Sequence, residues 1–283
     1  MRIANIVGRL ALAVGAGYVD VERASGGTFG PDPQGIYDVW GEFTKWATSL
    51  DSAGHDTFEV TEWSQWGPPV PRPRQIFAIG LNYRDHASEA QLEAPSTPAV
   101  FTKFPTSLTG HQCPVHLPAG SVDWEVELVA VISRRCDFVG LTEAWDHIAG
   151  LTVGQDLSER QLQLAGPAPQ FSLGKSYRGF APLGPELVTV DEFPDPDDVG
   201  LGCGLEGGEI LQKGRTADLI FSIPALVAHL SSVCPLLPGD LIFTGTPAGV
   251  GAGRHPATFL KPGDVLLSWV EGVGTLRTPL VAP

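Results

Sequence analysis

The 283-residue sequence predicts an α+β fold that is mostly β, and three observations predict it. Apolar runs of strand length recur along the chain. The 34 Gly and 25 Pro, more than a fifth of all residues, are dispersed between those runs as turn formers. Helical periodicity is confined to a few segments. With 43% hydrophobic and 18% charged residues the chain is globular, and it is long enough for one large domain or a large domain with a small one.

Taken in order, IANIVGRLALAV (3–14) and YVDVERA (18–24) read as the two arms of a hairpin, and 35–50 reads as a helix. WGPPVPRPRQ (66–75) is too rich in Pro for helix or ladder, and marks a boundary between a small β-rich N-terminal domain (1–70) and a main domain (71–283). Beyond it IFAIGL (76–81) is a buried strand. AVFTKF (99–104) and WEVELVAVI (124–132) are strands, with a turn at HLPAG (116–120). Residues 218–233 have helical spacing at Ile220, Ile223, Leu226, Val227 and Leu230, with Asp218 as the starting cap and Pro224 in the first turn. Two PGD turns, 238–240 and 262–264, each lead into a strand.

A formal net charge of −14 disfavours nucleic acid and anionic membrane as partners. The N-terminal apolar stretch is broken by Asn5, Gly8 and Arg9, which suits strands better than a signal peptide, and no run of about eighteen apolar residues is present to span a bilayer. Cys113, Cys136, Cys203 and Cys234 form no CxxC pair, so they read as free thiols of a reducing cytoplasm.

The strongest chemical signal is Asp123-Trp124-Glu125-Val126-Glu127-Leu128. On a strand, Glu125 and Glu127 share one face and Trp124, Val126 and Leu128 the other. Two neighbouring carboxylates on an apolar strand repel each other and resist burial; a hard divalent cation resolves both problems, and an edge strand facing water is the alternative. Asp156 follows another apolar strand, with Arg160 and Gln163 at +4 and +7, either converging on one helical face or forming a cap and an ion pair. Lys175 lies in Gly-Lys-Ser, which is no phosphate-binding loop because Pro169 stands where its first Gly belongs. His86 and Glu89 sit at i and i+3 and can pair, which makes His86 a candidate general base. Phe243–Gly251 is a Gly-rich loop able to present Thr hydroxyls and N–H groups to an anion.

In order, IGLNYRDHASE, VFTKFPTSLTG, DWEVELVAVI, GQDLSERQLQ, LGKSYRGFAPLGP, GEILQKGRTADLIFSI and PGDLIFTGTPAGVG resemble the fumarylacetoacetate hydrolase family across roughly 75–275. The resemblance implies a mixed β-roll catalytic core, a homodimer, and Mg²⁺ or Mn²⁺ on Glu125, Glu127 and Asp156. It puts Lys175 with His86 and Glu89 in catalysis, and Lys103, Arg160, Gln163 and Thr246 on the substrate. The activity it implies is hydrolysis of a C–C bond in acylpyruvates or related 1,3-diketo acids such as fumarylpyruvate. The alternatives are oxaloacetate decarboxylation or 2-hydroxy-dienedioate isomerisation at the same site, or keto-acid binding without turnover. Two departures from the family pattern stand out. Glu159 replaces a common Ala and is a candidate for altered substrate choice; Glu206-Gly207-Gly208-Glu209 replaces a Val-Asn-Gly-Glu turn and reads as surface.

Overall fold

The structure, a computed structural model, describes residues 1–51, 54–89 and 93–283. The chain opens with β1 (Arg2–Ile6), β2 (Arg9–Val14), β3 (Gly17–Asp20), α1 (Val21–Ala24) and α2 (Trp40–Ser49). There follow β4 (Trp66–Gly67), β5 (Ile76–Gly80), α3 (Arg84–Glu89), β6 (Ala99–Thr102), β7 (Leu108–Thr109), β8 (Val115–His116) and β9 (Val122–Asp123). The middle of the chain forms β10 (Val126–Ile132), β11 (Ile148–Gln155), β12 (Ser158–Glu159), α4 (Arg160–Gln163), α5 (Phe171–Gly174) and β13 (Ala181–Val188). It closes with β14 (Gly200–Leu205), β15 (Ile210–Arg215), α6 (Ile223–Val233), β16 (Leu241–Phe243), β17 (Val265–Val270) and β18 (Gly274–Val281).

The large mixed sheet runs β3-β2-β1-β13-β11-β10-β16-β5-β6, with β4 on β1 and β7 on β13; a separate five-stranded sheet, β15-β14-β17-β18-β8, packs against it. This is the mostly β, α+β class expected from the sequence. The N-terminal strands join the large sheet directly, since β1 pairs antiparallel with β13 at Arg2↔Val188 and Ile3↔Leu187.

Two apolar cores flank the large sheet. Val126, Leu128, Ala130 and Ile132 of β10 enter one core with α6 and the five-stranded sheet; Val129 and Val131 enter the other, with Ile3, Leu10, Phe43 and Phe243. Period-2 alternation therefore serves two cores, and β10 is buried along its whole length.

Three local expectations change. The N-terminal hairpin is a three-stranded meander, because Val7 and Gly8 take φ values of 53° and 77° and turn the chain inside what reads as one strand. The expected helix over 35–50 begins as a 3₁₀ turn, Gly35–Val39, before α2. The cap of α6 is Ser222, whose hydroxyl accepts from Ala225 N; Asp218 lies in the preceding 3₁₀ turn, and Pro224 takes the first-turn position.

Candidate metal centre

The site forms where the β10–β11 ladder ends. Val126 pairs with Gln155, and one step further Asp156 N donates to Glu125 O at 2.9 Å, so the two carboxylates emerge side by side from adjacent strands. Glu127 lies two residues along β10, and β16, paired with β10 at Val129↔Phe243, delivers the Gly-rich loop beside it. Gly245 N donates to Glu127 Oε2 at 2.7 Å.

Glu125, Glu127 and Asp156 are all buried, and one oxygen from each lies within 4.8 Å of the others. Burial, and after it the charges of Asp156 and Glu125, push Glu127 well above the ordinary carboxylate range. Burial acts on Glu125 in the same sense, but Lys175 and Arg160 overcome it and hold Glu125 at about 2. Three hard oxygen donors facing one another, one of them strained toward protonation, fit a divalent cation of the Mg²⁺ or Mn²⁺ type.

Cations already surround the cluster. Lys175 Nζ lies 2.8 Å from Glu125 Oε2 and 2.5 Å from Asp156 Oδ2, and burial, which lowers its pKa, is outweighed by Asp156 and Glu125, which raise it. Lys103 is fully buried 2.6 Å from Asp156 Oδ1 and also donates to the Lys175 carbonyl; burial pushes its ammonium down despite Asp156. Arg160 reaches Glu125 Oε1 at 2.7 Å, Asp123 Oδ2 at 2.7 Å and Gln163 Oε1 at 2.9 Å. In formal charges, Asp123, Glu125, Glu127 and Asp156 against Lys103, Arg160 and Lys175 leave one net negative charge, which a divalent ion would turn into one net positive charge. That sign suits an anionic substrate in a protein whose net charge is −14.

Beside the cluster is a cavity of about 350 Å³, lined by His86, Glu89, Arg160 and Gln163 together with Leu164, Val250, Ala252 and His255. His86 Nδ1 lies 3.2 Å from Glu89 Oε2, and both Glu89 oxygens accept from Gly249 N, at 3.0 and 3.2 Å. Helix α3 brings the pair onto one face through its i, i+3 spacing.

Other residues take positions the sequence did not show. Arg160 and Gln163 lie on a helix that begins at Arg160, so Asp156 precedes it and Glu159 is its cap. The buried Glu159 carboxylate accepts from Ser121 N, Gln161 N and Leu162 N at 2.9, 3.2 and 2.8 Å, which commits it to backbone. Thr246 Oγ1 donates to Val126 O and accepts from Gln212 Nε2, at 2.9 and 2.8 Å. Asp123, which opens the Asp-Trp-Glu-Val-Glu motif, pairs with Arg160, and Gln212 bonds Val126 N and Thr246 Oγ1; residue type and spacing alone signal neither partner. All four cysteines are free thiols. No helix among the described residues is long and apolar enough to cross a membrane.

Fold and site together define a buried three-carboxylate centre on a mixed β scaffold, one that could hold a hard divalent cation. The chain belongs to the fumarylacetoacetate hydrolase family: residues 75–281 match the family's C-terminal domain, "Fumarylacetoacetate (FAA) hydrolase C-terminal". It is 40% identical over 215 residues to the mitochondrial oxaloacetate tautomerase fahd2 of Xenopus laevis, covering 75% of this chain and 67% of that one. It is 44% identical over 216 residues to a 2,4-didehydro-3-deoxy-L-rhamnonate hydrolase of a Sphingomonas strain, covering 75% of each. A crystal structure of an HpcE-like protein from Mycobacterium smegmatis superposes with a TM-score of 0.94 at 53% identity, over 100% of this chain and 99% of that one. Maleylpyruvate hydrolase from Sphingobium sp. SYK-6, solved with manganese(II) and pyruvate, superposes at 0.82 with 27% identity, over 100% and 99%. The named relatives are enzymes, and they include hydrolases and tautomerases.

Proposed function

We propose that this chain hydrolyses a C–C bond in an acylpyruvate or related 1,3-diketo acid, fumarylpyruvate among them, with Mg²⁺ or Mn²⁺ held by Glu125, Glu127 and Asp156. One observation carries the reading: a His86–Glu89 pair at 3.2 Å on the wall of a cavity shared with Arg160, itself bonded to the carboxylate cluster. Such a pair beside a cation site is the equipment for activating water, whereas keto–enol exchange would use it only to carry a proton between carbon and oxygen.

The reaction adds water across one bond: the acyl carbon gains OH and leaves as a carboxylic acid, and the CH₂ carbon gains H and leaves as the methyl of pyruvate. When bound, the cation polarises the pyruvyl keto oxygen and offsets the charge that gathers there. A proton on His86 Nδ1, directed at Glu89, leaves Nε2 with a lone pair to take a proton from water. Glu89 is itself fixed by Gly249 N, so the ring is held in one plane. His86 returns that proton to the CH₂ carbon as the bond breaks. Lys175, between Glu125 and Asp156, supplies a fixed positive charge beside the pyruvyl oxygen. Arg160 and Gln163 face the cavity and orient the substrate carboxylate. Lys103 acts from behind by aligning Asp156, and Thr246 by holding the Gly-rich loop against β10.

A second reading, keto–enol exchange of oxaloacetate, is favoured by the 40% identity to a tautomerase; it uses the same carboxylates and Lys175 without activated water. Decarboxylation of oxaloacetate or isomerisation of a dienedioate draws on the same group of residues. Acetylpyruvate, fumarylpyruvate and oxaloacetate assayed side by side, with Mg²⁺ and with a chelator, separate these. His86→Ala should keep Mn²⁺ binding and lose about 10²- to 10⁴-fold in hydrolysis. Hydrolysis at the wild-type rate in that variant removes His86 from the mechanism, and exchange of oxaloacetate with no hydrolysis of any acylpyruvate selects the second reading.

A further inference from the structure

Asp123 is fully buried at the end of β9, where the β9–β12 ladder (Ser158↔Asp123) sets it beside the start of α4. Its oxygens accept four hydrogen bonds. One comes from Arg160 Nε at 2.9 Å, and a terminal nitrogen of the same guanidinium forms an ion pair with Asp123 Oδ2 at 2.7 Å. Three come from backbone N–H groups: Trp124 at 2.8 Å, Gly251 at 2.7 Å and Ala252 at 2.9 Å. The last two belong to the 3₁₀ turn Gly251–Gly253, which with Val250 forms a wall of the cavity. The approach is so close that a Cβ on Gly251 would strike the Thr258 carbonyl and lie 2.7 Å from Asp123 Oδ1. The same loop hangs from Glu89 at its other end, through Gly249 N, and Trp124 Nε1 donates to the Gly249 carbonyl at 3.0 Å. Arg160 spends its remaining arm on Glu125 Oε1 and Gln163.

We infer that Asp123 is a positioning residue that acts through Arg160 on Glu125, and through the 249–253 loop on the Glu89–His86 pair. With Nε and one terminal nitrogen clamped by Asp123, the guanidinium plane has one orientation, and its third nitrogen meets Glu125 Oε1. Glu125 Oε2 is thereby turned toward Lys175 and the cluster. Four accepted hydrogen bonds and an ion pair make this a rigid support for a ligand, the kind whose loss weakens metal binding without touching the ligands.

The inference rests on Glu125 being a metal ligand, so the test reads metal first. Mn²⁺ affinity is measured by EPR titration on substrate-free protein for wild type, Asp123→Asn, Arg160→Lys and the double variant, with kcat and KM alongside. Asp123→Asn keeps the side-chain shape and should bind Mn²⁺ about 10-fold more weakly or worse, with kcat falling by a larger factor than KM rises. The double variant should bind no more weakly than Arg160→Lys, because both changes break one relay. Wild-type Mn²⁺ affinity in Asp123→Asn, or losses that multiply in the double variant, overturn the inference. If Asp123→Asn does not fold, Arg160→Lys decides alone: unchanged Mn²⁺ affinity there overturns it. Wild-type protein that binds no Mn²⁺ defeats the metal reading itself, a different result from tight binding that ignores residue 123.

Discussion

Lys175→Met asks whether the lysine and the bound cation compete for the same carboxylates. Lys175 is 2% exposed, with Nζ 2.8 Å from Glu125 and 2.5 Å from Asp156. Met keeps the aliphatic volume and deletes the charge. In chelated protein the carboxylates lose a counter-charge, and removing one partner of a buried pair costs about 3–5 kcal/mol; the urea midpoint of the metal-free variant should fall accordingly. With metal the sign reverses. An ion about 2.1 Å from those same oxygens lies on the order of 4 Å from Nζ, where repulsion is about 4 kcal/mol per unit charge at an effective dielectric of about 20. A third of that is a factor of ~10 in affinity. Mn²⁺ should therefore bind Lys175→Met at least ~10-fold more tightly by EPR titration, while hydrolysis drops about 10²- to 10³-fold through loss of the fixed positive charge. Weaker Mn²⁺ binding in the variant would refute the reasoning, because Lys175 would then organise the ligands instead of opposing the cation.

Two further outcomes are expected. Glu159→Ala strands three backbone donors and uncaps α4, for about 1–3 kcal/mol of stability; the unfolding midpoint should drop while the ratios of kcat/KM across acylpyruvates stay as in wild type, and a changed ratio would return Glu159 to substrate selection. Burial, aided by Arg277, lowers the His111 imidazole to about 4. The unfolded chain then takes up a proton near pH 6.5 that the folded chain refuses until about pH 4, so stability is lost as pH falls through that window, by about 2–3 kcal/mol. His111→Gln should flatten this arm of the urea-midpoint profile; parallel decline of wild type and variant would count against it.

Much of the architecture was legible because strand-length apolar runs and dispersed turn residues are local properties. The strands ending at Gly80 and Ile132 are visible as apolar runs, and the helix around Leu226 as helical spacing. Other features depended on neighbours. The Val7-Gly8 turn was hidden because both flanks are apolar, so the stretch reads as one strand until its φ values are known. Asp218 looked like the cap of α6 because caps are assigned by residue type, and Ser222 was the better-placed hydroxyl. Glu159 looked like a chemical novelty, and it is a cap that also pins Ser121, just before β9.

By itself the sequence determined which residues are candidates for the chemistry: the E-x-E alternation put two carboxylates on one face, and the i, i+3 spacing paired His86 with Glu89. Only the tertiary structure decided what those charges meet. The β10–β11 register set Asp156 against Glu125, and long-range folding brought Lys103, Lys175 and Arg160 to the cluster. The physical reason is that side-chain direction follows from local backbone geometry, whereas a buried charge is defined by its partners, and these partners lie tens of residues away along the chain.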